Sequence, residues 1–346
     1  MKKIYAERKY TKWKATSSRK SLRAKPHRKF KNRLYRKGLS IHRRWENHNP
    51  IPAPSDFRFV DNTEECLDFF RKIRDKKNHY YNEGNYFVAL ELKKVQQIDY
   101  CSVSVLKALL MDFKPQNIFV QGNSPENREC FNFLKTSGYY DGLLSLTNKT
   151  FHEKGDSDRM VFTQGSGMLS DAEDFEVVML LKKIRRHLTG QDGHCPQLRT
   201  IILEICGNSI EHSDSFKRQW TFGVKYEKNK VIITLIDTGK GILKTLYKRL
   251  GRKFTDFVAK TNTEVLDGAF NKKYESRTLD QNRNKGLPVI KMRFMEGYIK
   301  NLVVITNNVI LNFEDMKKSQ YFSHGFGFDG TIFKIELDKS CFNANK

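Results

Sequence analysis

Glu204, Asn208, Glu211 and His212 interrupt an otherwise apolar stretch near the middle of the chain, EICGNSIEHS (Glu204 to Ser213). On a helix, Glu204, Asn208 and Glu211 fall at i, i+4 and i+7 and share one face, leaving Ile201, Ile202, Ile205 and Ser209 to pack elsewhere. An Asn amide oxygen is a hard, neutral ligand suited to magnesium, whose octahedron waters and phosphates can complete. A Glu one turn earlier can take a proton from an attacking water. Taken alone, the pattern is equally that of a helix with a wet polar face.

A second segment changes that balance. LIDTGKGI (Leu235 to Ile242) follows, with Asp237 standing 29 residues after Asn208. VIITLID reads as a buried strand, and a carboxylate at its end can accept a hydrogen bond from an adenine amino group. Gly239 and Gly241 remove side chains where a backbone turns tightly or approaches a ligand closely. A lone DxGxG is weak, but its place after the Glu/Asn helix, in the order helix, strand, strand, is specific.

Together, ExxxNSIEH and DTGKGI resemble the N and G1 boxes of the GHKL ATPases, the group of histidine kinases, gyrase, Hsp90 and MutL. YESRTLDQNRNKGLPVIKM resembles their lid and G2 box, and DGTIFKIEL their closing Gly-Thr strand, so the resemblance spans about Asp171 to Leu337. It implies ATP and Mg2+ as cofactors. Glu204 would activate water, Asn208 would bind the magnesium, and Asp237 would read adenine. Gly239, Gly241, Ile242 and Thr331 would line the same pocket. Gly286 and Leu287 would meet the phosphates at a helix N-terminus, with Lys285 beside them and Arg277 and Thr278 near the γ-phosphate. Asn284 stands where the family usually has the first glycine of the G2 box, and Asn tolerates a left-handed backbone.

Upstream, ALELKKVQQIDYCSVSVLKALLMDF…NIFVQGNSPENRECFNFLKTSGYYDGLL resembles STAS-type modules, the anti-sigma-factor antagonist fold, over about Asn85 to Leu144. In that family a Ser at the helix start can be phosphorylated by a partner GHKL kinase, which would fall on Ser102 or Ser104. Both serines are equally explained as helix caps.

Composition adds a third element. The formal charge is +24, and eighteen Lys or Arg against one acid, Glu7, lie between Met1 and Arg44. Arg19, Lys20, Arg23, Lys25, Arg28, Lys29, Lys31, Arg33, Arg36, Lys37, Arg43 and Arg44 alternate with Trp13, Phe30 and Tyr35, a composition for salt-sensitive contact with RNA or DNA and stacking on unpaired bases. A solubilising tail, or attachment to an acidic protein or membrane surface, is the plainer alternative. The six cysteines show no paired spacing, and no apolar run follows the basic start or reaches bilayer length. A cytoplasmic protein without a membrane partner is expected.

The expected fold class is α+β. A basic arm and linker occupies 1–55, a small STAS-like α/β domain 56–146 and a linker 147–170. A GHKL domain over 171–346 would lay helices on one face of a mixed sheet. The stretch from Asp237 to Asn284 reads as long and polar, and the helix of SPENRECFNFLKTSGY as started by Ser124 and Pro125. The leading function is an ATPase acting as a nucleotide-driven switch, in which lid closure repositions the STAS-like domain or an ATP-dependent homodimer partner. The alternatives are a Ser/Thr or His protein kinase, with His187 as a weak acceptor, and a non-hydrolysing adaptor that serves a protein effector in a bacterial immunity (antiviral defence) or regulatory complex.

Overall fold

The computed structural model describes residues 49–82, 84–140, 160–166, 171–212, 219–250, 261–274, 286–322 and 327–343. The chain divides into Met1–Asn49 with Leu143–Thr150, of which Asn49 alone is described, and a unit made of Pro50–Gly142 and Phe151–Lys346. All that follows concerns the second unit.

It opens with β1 (Ile51–Pro52), β2 (Asp56–Phe57), α1 (Thr63–Arg74), β3 (Tyr80–Asn82), β4 (Asn85–Glu91), β5 (Gln97–Ile98), α2 (Tyr100–Phe113), β6 (Ile118–Gly122) and α3 (Arg128–Thr136). β4 is the centre of a small mixed sheet, parallel to β1 and β6 and antiparallel to β3. Phe87 through Leu90 are therefore all buried, whereas the alternating sequence predicts one face in and one out. The proline segment read as linker already contributes β1, whose Ile51 pairs with Leu90; a proline is tolerated there because the strand is only two residues long. α3 begins three residues later than Pro125 suggests, because the Asn127 side chain caps it by accepting from the N–H groups of Glu129 and Cys130. Lys107 on α2, itself buried, donates to the carbonyls of Gly138 (2.9 Å) and Tyr139 (3.2 Å) and ties down the turn after α3.

The second part comprises β7 (Met160–Ser166), α4 (Asp171–Thr189), α5 (Pro196–His212), β8 (Gln219–Tyr226), β9 (Lys230–Asp237), α6 (Ile242–Leu250), α7 (Asn262–Phe270), α8 (Gly286–Met295), β10 (Lys300–Asn307), β11 (Val309–Asn312), β12 (Gln320–Tyr321) and β13 (Phe328–Asp338). The strands form one seven-stranded sheet in the order β12-β11-β10-β13-β9-β8-β7. The α+β class holds, with two corrections. The sheet is antiparallel at every described pairing rather than mixed, since tight hairpins join β8 to β9 and β10 to β11. Residues 160–166, expected in a linker, are its edge strand and pair with β8 from Met160↔Lys225 to Ser166↔Gln219; an edge strand needs one partner only and tolerates the polar, glycine-bearing text.

Nor are helices confined to one face. Val231, Ile233 and Leu235 of β9 join Ile201, Ile202, Ile205 and Cys206 of α5 in the main core. The alternate residues Ile232, Thr234 and Ile236 are also buried, because α2 packs on β8 and β9 from the opposite side. Tyr100 meets Ile232 there, and the Thr234 hydroxyl donates to Ser104 Oγ at 3.0 Å while Ser104 donates to the Tyr100 carbonyl at 2.7 Å. The sequence YCSVSVLKALL has no polar face to spare, and every residue from Tyr100 to Leu109 is buried.

The Ser104–Thr234 bond is the polar registration mark between α2 and the larger sheet. Ser104→Ala should leave the Thr234 hydroxyl buried without that partner and cost about 1–3 kcal/mol, whereas Ser104→Ala with Thr234→Val should recover most of the loss. Urea unfolding followed by circular dichroism measures both; an additive double variant would contradict the pairing.

Candidate functional site

The expected Asp and Thr of the pocket meet through strand register. Asp237 on β9 lies directly opposite Thr331 on β13, and the same line across the sheet continues to Trp220 on β8 and Thr306 on β10. Alternation along β9 places Asp237 on the face that carries Ile233 and Leu235, the face beneath α5. Trp220 is buried, and its indole N–H has no hydrogen-bond partner among the described residues. Thr306 and Thr331 hydroxyls lie 3.3 Å apart.

Asp237 is 8% exposed. Its Oδ1 accepts from the Gly239 N–H at 2.9 Å, and Thr331 hydrogen-bonds the carboxylate as well. Burial pushes the carboxyl up to about 6, against the opposing pull of Gly239, Thr331 and the Arg74 guanidinium. The side chain is thus retained where ionising it works against the fold, a property of functional carboxylates more often than of structural ones.

The loop after Asp237 is built from within. The Ile242 N–H donates to Thr306 Oγ1 (2.9 Å), and those of Leu243 and Lys244 donate to Asn307 Oδ1 (3.0 and 3.2 Å), while Asn307 Nδ2 returns a bond to the Lys240 carbonyl. Thr306 and Asn307 therefore cap α6 from a neighbouring strand. Gly241, at φ +82°, is hemmed in by that cap: a Cβ there would stand 2.6 Å from Asn307 Oδ1 and 2.7 Å from both Gly330 O and Thr306 Oγ1. Gly330, at φ +138°, backs onto the Asp237 carbonyl so closely that no side chain fits. Sequence reading assigned Gly241 and Ile242 to ligand approach; the backbone packing of the sheet's own end already requires the first and holds the second.

Glu204 is half-buried on α5, whose apolar stripe of Leu198, Ile201, Ile202, Ile205 and Cys206 seats it over β8 and β9. Among the described residues, a Cβ at Gly207, three residues on, would meet nothing within 4 Å. Asn208 lies within α5, but its side chain falls outside the described residues. α8 packs along α5 and opens at Gly286, which is buried, with Leu287 against the main core. Asp237 and Thr331 are thus brought together on the sheet face that packs against the helix carrying Glu204, and α8 in turn packs against that helix. Arg277, Thr278, Asn284 and Lys285 lie outside the described residues, as do all twelve cations of the arm from Arg19 to Arg44.

Of the phosphoacceptor candidates the two serines are enclosed and His187 is exposed but hydrogen-bonded. Ser102 and Ser104 are fully buried, and the cap of α2 is Asp99, which accepts from the Ser102 N–H at 2.7 Å, so neither serine caps the helix as expected. A ring nitrogen of His187 is bonded to the Glu227 carbonyl at 2.7 Å, with the ring edge on Tyr226. Among the described residues no helix is long and apolar enough to cross a membrane.

A scan against protein-family models gives no match, and a search of curated proteins gives none either.

Sequence reading missed Arg74, Trp220, Thr306 and Asn307. The last two were accessible: NLVVITNN breaks from apolar to polar at a strand end just as VIITLID does. Asp237 also yields a stability test. Its folded value is raised above the ordinary 3.8, so its contribution is most favourable below that value and is lost as pH rises through about 6. Asp237→Asn should therefore be more stable than the parent at pH 8, by about 1–3 kcal/mol, with the gap closing toward pH 4. Urea unfolding at the two pH values decides it; a variant less stable at pH 8 would show that the carboxylate serves the fold.

Proposed function

We propose that this chain is an ATP- and magnesium-binding protein of the GHKL type, acting as a nucleotide-driven conformational switch with slow ATP hydrolysis. What carries the reading is the Asp237–Thr331 pair: a buried carboxylate and a hydroxyl, directly opposed at the end of an antiparallel sheet, on the face covered by the Glu204/Asn208 helix. A carboxylate acceptor beside a hydroxyl suits the amino edge of adenine.

The arrangement of helices is compatible with these cofactors: among the described residues a Cβ at Gly207 on α5 would meet nothing within 4 Å, and α8, which packs against α5, begins at a buried glycine. Asn208 would hold the magnesium, which supplies charge neutralisation for the phosphates. Glu204 would orient a water and take its proton as the oxygen attacks the γ-phosphorus and the bond to ADP breaks. Phosphoryl transfer to the chain's own Ser102 or Ser104 is disfavoured by their burial, and transfer to the exposed His187 by its bond to the Glu227 carbonyl, so a kinase activity would need an outside acceptor. The basic arm is the proposed contact for RNA or DNA, in a cytoplasmic setting, and a homodimer or a protein effector, as in an antiviral regulatory complex, would receive the nucleotide signal.

Calorimetry with Mg-ATP tests the core of this. Binding is expected for the parent chain; Glu204→Ala should bind with similar affinity and lose phosphate release by 100-fold or more, on the order of a lost general base. No heat from the parent chain would remove the nucleotide reading altogether. Deleting residues 1–45 should abolish salt-sensitive RNA or DNA gel shifts and leave Mg-ATP affinity unchanged. A persisting shift would place the nucleic-acid contact on the folded body.

A further inference from the structure

Arg74 belongs to the first α/β layer, as the last residue of α1, yet its guanidinium ends on the two loops that carry the Asp237–Thr331 pair. Its Nη2 donates to the Thr238 carbonyl at 2.9 Å, and its Nη1 donates to the Asp329 carbonyl. The same group lies 5.8 Å from the centroid of the Phe328 ring. One planar cation thus spans the turn after β9 and the start of β13, and Gly330, between Asp329 and Thr331, touches the Asp237 carbonyl. A lysine offers a single ammonium and cannot reproduce the two-pronged donation.

We propose that Arg74 is a positioning residue for purine recognition, by which the N-terminal layer holds the Asp237 and Thr331 segments at binding distance and so couples its own docking to nucleotide affinity. The proposal rests on the nucleotide-binding reading and adds to it a residue 163 positions away in sequence from the carboxylate it serves. By linkage, nucleotide must in turn tighten the seating of α1 on this end of the sheet.

The charged groups around the Asp237–Thr238 turn are few enough to name. Arg74 comes from α1, and it pulls the Asp237 carboxyl down against the upward push of burial. Asp112 from α2 hydrogen-bonds the Thr238 side chain and also feels Arg74. Asp329 from β13 pairs with Lys244 of α6, and Lys240 lies in the turn itself. Of these, Arg74 is the cation acting on Asp237.

The test uses the full chain as the parent, Arg74→Lys, Arg74→Gln and Arg74→Ala, with Mg-ATP calorimetry between pH 5.5 and 8.5 and a carboxyl-carbon NMR titration of Asp237 without nucleotide. Arg74→Ala should lose affinity by about tenfold or more, the cost of a charge-assisted donor pair. Its low-pH loss of binding should move upward by about one pH unit, and Arg74→Gln should share that move. Arg74→Lys should restore the pH midpoint while recovering only part of the affinity. Equal losses in all three variants with an unmoved midpoint would make Arg74 merely structural and overturn the proposal, as would parent-like binding in Arg74→Ala. If the parent chain itself gives no heat, the nucleotide reading is what fails. The Asp237 titration then decides the rest: an unchanged midpoint in Arg74→Gln refutes the coupling of Arg74 to that carboxylate.

Discussion

One helix shared between two sheets constrains everything else in this unit. α2 packs against β6 of the small sheet and against β8 and β9 of the large one, and it is buried along its first ten residues. A helix in that position can present no charged face, and the strand beneath it can present no wet one. β9 accordingly runs from Val231 to Asp237 without an exposed residue. The Ser104–Thr234 bond between the two elements is satisfied only in one register of helix on sheet, because a shift would bury the Thr234 hydroxyl without that partner. Apolar packing supplies the adhesion between layers, and this pair supplies its alignment.

The same constraint explains the chemistry at the end of β9. A strand enclosed on both faces must end where polarity resumes, and the first polar side chain on its helix-covered face beyond Leu235 is Asp237. Keeping that carboxylate buried works against the fold, and its compensations come from three separate places: the Gly239 amide just beyond it, Thr331 on the neighbouring strand, and Arg74 from the other layer. The backbones that bring them together approach so closely that Gly241 and Gly330 have no room for a Cβ. Gly241 of the DxGxG turn therefore has an explanation beside the proposed ligand. That explanation, close contact between β9, β10 and β13, needs no ligand.

Legibility in the sequence followed locality. Strongly periodic segments such as Thr63–Arg74 and Asp171–Thr189 announced themselves as helices, Tyr100–Phe113 did so by its apolar length, and KVIITLID read as a buried strand. α6 and α7 did not: each is nine residues long and set in polar text, although Thr261 and Glu264 form a capping box that marks the start of α7. β7 was hidden because its strand character comes from pairing with β8 rather than from its own composition. In the site, Glu204, Asn208, Asp237 and Thr331 carry motif spacing and could be read. Arg74 could not, since a lone Arg ending an amphipathic helix looks like any dipole-matched surface charge until the fold brings Thr238 to it. The double burial of α2 left a trace, the absence of a polar face, but a trace without direction: it shows that something covers the helix and not what.

These energetics decide which part of the unit a nucleotide can move. A switch that repositioned the N-terminal layer would have to peel α2 from β8 and β9. Exposing even five side chains of the size of Tyr100, Ile232 and Ile236 costs roughly 10 kcal/mol, before the Ser104–Thr234 pair is counted. A ligand at a hundred times its dissociation constant contributes about 2.7 kcal/mol. The layer is therefore a fixed backing plate, and the proposed nucleotide-driven motion would fall on the opposite face, where α5 and α8 pack together. Under that proposal a signal would pass from that face to a second copy or another protein. It would reach the N-terminal layer only as a change in how firmly Arg74 is held.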